Sequence, residues 1–513
     1  MSDTSSFINS IVSGYSPQGK YITLGAAILN GLPLKEAPVK IPLKTLNRHG
    51  LISGATGTGK TVTLQIIAES LCSEGVPVLL MDLKGDLSGL AAAGNINQKI
   101  EERHASIGIE YKAEACGAEF FSISKEAGVR LKATVSEFGP VLFSKILELN
   151  DTQSGIVAML FKYADEHALP LLDLKDIKQL LQFAGNEGKA EIQKEYGGIS
   201  PASISTILRK IIELEGQGAD LFFGEPSFEV RDLLRLDEKG KGIASIIRLS
   251  DIQDRPKLFS SFMLCLLAEV YASFPEEGDL EKPKLCIFIE EAHLIFKEAS
   301  KALLSQIESI IKLIRSKGVG VFFITQNPYD IPEGVLSQLG LKVQHALRAF
   351  TEKDRKAIRK TAENYPISAF YKTDELLTSL GIGQALVTAL NEKGIPTPLA
   401  AVHLKAPASR IGTLSASEVQ SKTEAGLLQH KYNKSIDRES AYEILRDKLK
   451  DLTETETPTE IKRKKQEKPE KSLLEQAGGN PLVKQIGRTV AREVTRGLLG
   501  VLGIGGKRKK SWF

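Results

Sequence analysis

Eight consecutive residues carry the clearest chemistry in this chain: Gly54-Ala55-Thr56-Gly57-Thr58-Gly59-Lys60-Thr61 satisfies G-x-x-x-x-G-K-[ST] in full. The glycines let the backbone curl so that successive N–H groups point into one concavity. That nest and the N-terminus of a following helix favour an anion. Lys60 is then placed to reach the β- and γ-phosphates of a nucleotide, and the Thr61 hydroxyl to ligate Mg²⁺. A Gly-rich strand-to-helix turn that binds nothing is the plain alternative. A full match with an apolar strand before it and a helix after it argues against that alternative.

Such a loop leaves ATPase, GTPase and kinase open. A second element narrows the choice. Leu285 to Ile289 is an apolar strand that runs into Glu290-Glu291-Ala292-His293. An acid at the tip of a buried strand can hold Mg²⁺ through water, and the next acid can polarise an attacking water. Glu290 is read as the metal acid, although Asp is usual there, and Glu291 as the catalytic acid. Helix N-cap acids beside a core strand are the alternative. Third, Val319 to Ile324 ends in Thr325-Gln326-Asn327-Pro328. Gln326 is placed to sense the γ-phosphate or orient water, though the same residues make an ordinary strand-to-turn exit. No guanine-reading N-K-x-D pattern appears, which disfavours a GTPase. Asp82, in Asp82-Leu83-Lys84-Gly85-Asp86, either supports the metal or caps a turn, and capping is the preferred reading. His293 reads equally as a coupling residue or a packed one.

The elements that must position these residues follow a strand–helix–strand rhythm. His49 to Ser53 reads as a strand, Thr61 to Leu71 as a helix, and Val76 to Asp82 as a strand buried on both faces. That order argues for a mainly parallel α/β sheet. Residues 1–45 read as a β-rich lead-in and 46–136 as the first part of the core. A helical insertion follows at 137–235, then the second part of the core at 236–406. There Gly242 to Leu249 and Lys342 to Leu347 read as strands. Ala385 to Leu390 and Leu399 to Leu404 form a hairpin around Asn391 to Gly394. Residues 407–452 read as C-terminal helices, 453–472 as a disordered charged linker, and 473–513 as an amphipathic basic tail.

Composition sets outer limits. The chain has 513 residues, 42% hydrophobic and 25% charged, with a formal net charge of +4. That is an ordinary globular composition and excludes collagen-like, mucin-like and wholly disordered classes. Its 4 cysteines are scattered, with no C-x-x-C pair, so a disulfide scaffold and a zinc motif are disfavoured. No secretory signal or membrane span is evident, and a cytoplasmic location is expected. Residues 461–513 hold 14 Lys/Arg against 4 Asp/Glu, a net of +10, whereas the 460 residues before them are net −6. A basic tail of this kind implies an anionic partner or a solvated segment with none.

The three elements together resemble the HerA/FtsK branch of the P-loop ATPases, and most closely the bacterial HerA-helicase-like family of YjgR-type proteins. The pieces that carry the resemblance are HGLISGATGTGKTVTLQ, VLLMDLKGDLSGL, IFIEEAHLIF, IRSKGVGVFFITQNPYDIP and the closing Gly-rich basic tail. They span residues 20–405 plus the tail. The resemblance implies a RecA-like core, ATP and Mg²⁺ as cofactors, and homo-hexameric rings with nucleotide between neighbours. It also implies translocation of DNA. It carries Lys60, Thr61, Glu290, Glu291 and Gln326 onto the roles given above. It further implies an arginine acting from the neighbouring subunit, for which Arg348 and Arg315 are the candidates.

Three functional readings follow. The first is a motor acting on nucleic acid, double-stranded DNA foremost, with Arg209 and Lys210 or the stretch Lys353 to Lys360 as sources of positive charge. The second is a nucleotide-driven switch or assembly factor acting on proteins through the helical insertion. The third is an ATPase held at an anionic membrane by residues 481–513, a segment that suits DNA equally well.

Overall fold

The computed structural model describes residues 2–455, apart from 279, 299–300, 435 and 437. Residues 453–455, read as the start of the disordered linker, instead complete the helix Ala441–Thr455, because no Gly or Pro interrupts the chain before Pro458. The rest of that 453–472 linker and the basic tail at 473–513 lie outside the described residues. Twelve strands form one sheet. In chain order they are β1 (Tyr21–Leu29), β2 (Leu32–Pro42), β3 (Gly50–Ser53), β4 (Val78–Asp82), β5 (Ala118–Ser122), β6 (Val129–Arg130), β7 (Ala244–Arg248), β8 (Leu285–Ile289), β9 (Val319–Thr325), β10 (Leu341–Gln344), β11 (Gln384–Thr388) and β12 (Ala400–Leu404). Their spatial order is β2-β1-β12-β11-β10-β3-β9-β8-β4-β7-β5-β6.

From β10 to β6 every pairing is parallel. The wing β11, β12, β1 and β2 is antiparallel. β3, β4, β8 and β9 are buried at every residue, as expected for strands covered on both faces. The RecA-like parallel arrangement brings the C-terminal tips of β3, β9, β8 and β4 to one edge in that order. Ligands in open α/β sheets bind at this edge. The 319–325 strand therefore sits between the strand that feeds the phosphate loop and the strand that feeds Glu290.

The lead-in differs in part from the sequence reading. A helix, Ser2–Gly14, precedes β1. Phe7, Ile11 and Tyr15 recur every four residues and are buried in the core, and the Tyr15 hydroxyl donates to the Pro398 carbonyl at 2.7 Å. Among the described residues no helix is long and apolar enough to cross a membrane. The apolar helix Pro256–Ser273 is instead packed inside, with Leu264, Leu267 and Val270 fully buried.

The chain divides into two compact units. The first is Met1–Leu131 with Phe228–Lys434 and contains the whole sheet. The second is Lys132–Ser227 with the described residues after Lys434. It is helical: Val135–Ile146, Asp151–Glu166, Leu174–Gly185, Lys189–Tyr196, Pro201–Gly216 and Ala441–Thr455. Phe138, Phe143, Phe222 and Phe223 form its aromatic centre. Its last helix is tied in through buried Asp176, which accepts from the Tyr442 N–H at 2.9 Å and from the Ser440 hydroxyl.

Candidate active site

Residues 54–59 form the turn between β3 and the helix Lys60–Ser73. Gly54, Gly57 and Gly59 take φ of 147°, 76° and 110°, values that L side chains rarely adopt. A Cβ on Gly54 would stand 2.5 Å from Cβ of His345, so this glycine is needed for close approach as well as for its backbone angle. Ala55 and Gly59 are half-buried, Thr56 and Gly57 are exposed, and the Thr58 hydroxyl donates to the Ala55 carbonyl at 2.7 Å. The loop is braced from β10, since the Ala55 N–H donates to the Ala346 carbonyl at 2.9 Å. His345 itself is fully buried, with Nε2 2.8 Å from the Thr63 hydroxyl. Burial and the nearby Lys60 charge push its pKa down to about 4, so it stands neutral under the loop.

The Lys60 ammonium is buried and donates to the carbonyls of Gly54 at 2.8 Å and Ala55 at 3.1 Å. Burial lowers its pKa, and Lys84 adds to that, against Glu291 and Glu290. The Thr61 hydroxyl donates to Oε1 of Glu290 at 3.3 Å. Helix start and strand tip therefore converge on one point.

Three carboxylates gather there. Asp82, Asp86 and Glu290 each offer an oxygen within 4.8 Å of the others. Asp82 and Glu290 are almost wholly buried. One oxygen of each of the three carboxylates has no hydrogen-bond partner: Asp82 Oδ1, Asp86 Oδ1 and Glu290 Oε2. Buried carboxylate oxygens without partners are costly unless a cation meets them. Burial and the neighbouring Asp86 raise Asp82 to about 7. Burial, then Asp86 and Asp82, push Glu290 well above the usual carboxylate range. Burial also raises Asp86, against Lys84 and the Thr61 hydroxyl. A hard divalent cation with an all-oxygen shell suits these donors. The residues present thus fit Mg²⁺, with Thr61 and Glu290 joined by Asp82 and Asp86.

Glu291 follows at φ 45°, a left-handed angle that costs a non-glycine residue roughly 1–3 kcal/mol and is often found where function holds a side chain in place. Its Oε1 is 2.5 Å from the Lys84 ammonium, and its Oε2 lies 3.2 Å from Nδ1 of His293. The Glu291 Oε2 contact lacks hydrogen-bond geometry, and that oxygen counts as unpartnered. His293 is therefore a neighbour of the acid pair, only partly buried. Gln326 is exposed at the tip of β9, between the phosphate loop and the acids. Thr325 beside it is buried and donates to Oδ2 of Asp330 at 2.9 Å.

The two arginines fall apart. Arg348 is exposed just past β10, on the same sheet edge as the phosphate loop. Arg315 sits in the turn Arg315–Lys317 that enters β9, at the opposite edge. The seven residues of β9 separate that turn from Gln326.

Sequence reasoning missed Asp86, Lys84 and His345. Asp82 does cap its turn, since Oδ2 accepts from the Leu87 N–H at 3.3 Å, but its other oxygen joins the carboxylate cluster. The available signal was a second acid four residues on, across Gly85, whose φ of 77° folds the turn back. For His345, the strand Lys342 to Leu347 was legible, but which of its side chains reached the loop was not.

Fold and site together define a P-loop nucleotide-binding protein with a RecA-like core. The chain belongs to the helicase HerA-like C-terminal family, whose model matches residues 29–510. It is 22% identical over 370 residues to a DNA double-strand break repair helicase HerA of Sulfolobus acidocaldarius, a match covering 70% of this chain and 66% of that one. A protein of the same name from Saccharolobus solfataricus is 22% identical, over 69% of this chain and 64% of its own. The chain thus spans just under two thirds of the length of these relatives. Among solved structures it is similar in fold to the bacterial conjugative coupling protein TrwBdeltaN70 in its unbound form, with a TM-score of 0.50 and 14% identity over 79% of this chain and 94% of that one. The plasmid coupling protein TrwB in complex with ADP and Mg²⁺ gives a TM-score of 0.50 at 16% identity, over 78% of this chain and 100% of that one.

Proposed function

We propose that this chain is a Mg²⁺-dependent ATP hydrolase of the HerA/FtsK type, working in the cytoplasm as a hexameric ring on double-stranded DNA. The observation that carries the reading is the convergence of Thr61 and Glu290 beside a cluster of buried, unpartnered carboxylate oxygens, one residue from Glu291. The family membership and the DNA-repair helicase names of the relatives support the choice of DNA.

In this reading the backbone N–H groups of residues 54–60 cradle the phosphates. Lys60 leaves the Gly54 and Ala55 carbonyls to neutralise the β- and γ-oxygens. When bound, Mg²⁺ supplies Lewis-acid charge stabilisation, and Thr61 and Glu290, with Asp82 and Asp86, would hold it. Glu291 accepts a proton from the attacking water, and release from Lys84 would set it free to do so. Gln326 orients that water or reads the γ-phosphate. Arg348, on the phosphate-loop edge, or Arg315, on the far edge, completes the site of an adjacent subunit.

Lys60→Ala and Glu291→Gln test the assignment together. Lys60→Ala should abolish turnover of ATP. Glu291→Gln should retain nucleotide binding, measured with a fluorescent ATP analogue, while hydrolysis falls by about 10²–10⁴-fold, the usual worth of a general base. Wild-type turnover in Lys60→Ala would overturn the reading.

A further inference from the structure

We propose that the exposed basic face of helix Glu352–Glu363 grips the phosphate backbone of duplex DNA. This rests on the reading of the chain as a DNA-acting ATPase and assigns the surface that does the gripping. The helix is EKDRKAIRKTAE, and Lys353, Arg355, Lys356, Arg359 and Lys360 are all exposed. Its acids are largely spent. Asp354 accepts from the Phe350 and Thr351 N–H groups and so closes a capping box with the cap residue Thr351, and Glu352 pairs with Lys356 at 2.8 Å. On the adjoining helix Thr373–Ser379, Glu375 pairs with Lys372 at 3.2 Å. Among the described residues this leaves Arg355 and Arg359 without an acid partner, with Lys353 in electrostatic reach of Asp354 and Lys360 on the face of Tyr329 at 4.5 Å. Against them stand Glu363 and Asp374.

Arg355 and Arg359 are four residues apart, so they stack about 6 Å apart along the helix axis. Guanidinium groups match phosphate oxygens bidentately. A row of unpaired cations of this kind suits a polyanion rather than a single small ion. A lipid surface fits less well. Ile358 and Thr361, on the opposite face, are buried against the chain, so the helix has no apolar face left to lay into a bilayer.

The position gives the contact a mechanical consequence. The helix begins seven residues after His345, which lies under the phosphate loop. Ala346, next in line, accepts the Ala55 N–H of that loop. A load on the helix is therefore one short backbone segment away from the nucleotide site.

The test uses the full chain and a fluorescein-labelled 30-base-pair duplex, followed by anisotropy from low to moderate salt. The triple variant K353Q/R355Q/R359Q keeps helix-forming side chains at exposed positions. It should bind at least about 10-fold more weakly, with a salt slope smaller by about 2–3, near 0.9 for each phosphate contact removed. Its basal ATP turnover should match the wild type. The control K99Q/K189Q/K194Q removes the same charge from other exposed sites and should bind like the wild type. Single variants repeat the test if the triple variant melts early. Equal duplex binding by triple variant and wild type would overturn the proposal, as would an equal loss in the control. A loss confined to phosphatidylserine vesicles would also overturn it, in favour of a membrane surface. Failure of the wild type to bind any duplex would instead sink the DNA reading itself.

Discussion

Asp82 shows how one side chain can serve both structure and chemistry. One oxygen holds the turn after β4, and the other waits, unpartnered, among carboxylates. Its pKa, raised from 3.8 to about 7, gives a signed expectation. A carboxyl with a raised folded-state pKa binds its proton more tightly when folded, so it favours folding while protonated. That contribution is lost as pH rises from about 4 to about 7. Asp82→Asn keeps an acceptor for the Leu87 N–H and removes the charge. In EDTA its melting temperature relative to wild type should therefore climb across that interval. Saturating Mg²⁺ should stabilise the wild type and close the gap. A difference flat in pH would contradict the assignment. At this scale what was legible is placement: Lys60, Thr61, Glu290 and Glu291, read as candidates from adjacent residues, do meet at one edge of the sheet. Lys84 and Asp86 escaped because their meaning depends on a turn that swings them toward a strand two hundred residues on.

Elements were legible where apolar runs are continuous. β8 spans the expected residues, and β9 extends one further. β5 was missed because Ala118–Ser122 contains Glu119. That carboxylate is buried, ion-paired with Arg235, and accepts the Leu428 N–H at 3.0 Å. Nothing local marks a buried acid whose partners are a hundred or more residues away. The Ser2–Gly14 helix was hidden by its polar, serine-rich start. The junction of β3, β10 and the phosphate loop offers the sharpest element-level test. A methyl group at position 54 would meet Cβ of His345 at 2.5 Å and its backbone at 3.1 Å, on a φ of 147°. Gly54→Ala should cost about 2–4 kcal/mol in denaturant unfolding, in the range of overpacking plus backbone strain, and should weaken nucleotide binding. An unchanged midpoint would show that the loop is free to move away from β10.

At the scale of the whole molecule, the proposed motor would need a track and partners that lie outside the single chain. The 29–510 family match defines the lineage, whereas a trans-acting arginine, a ring and a DNA path are relations between copies and ligands. No residue pattern spells these out, so Arg348 and Arg315 stay alternatives in the sequence; the strand directions put them at opposite edges of the sheet. The most direct measurement is Mg²⁺-dependent phosphate release from ATP by the purified full chain, with Lys60→Ala as the blank. It would be made alone and with duplex DNA, single-stranded DNA and RNA, at low and moderate salt. The account predicts hydrolysis that is lost in Lys60→Ala and stimulated foremost by duplex DNA, with the stimulation fading as salt rises. Hydrolysis indifferent to every nucleic acid would contradict the DNA motor, and turnover that persists in Lys60→Ala would contradict the nucleotide site itself.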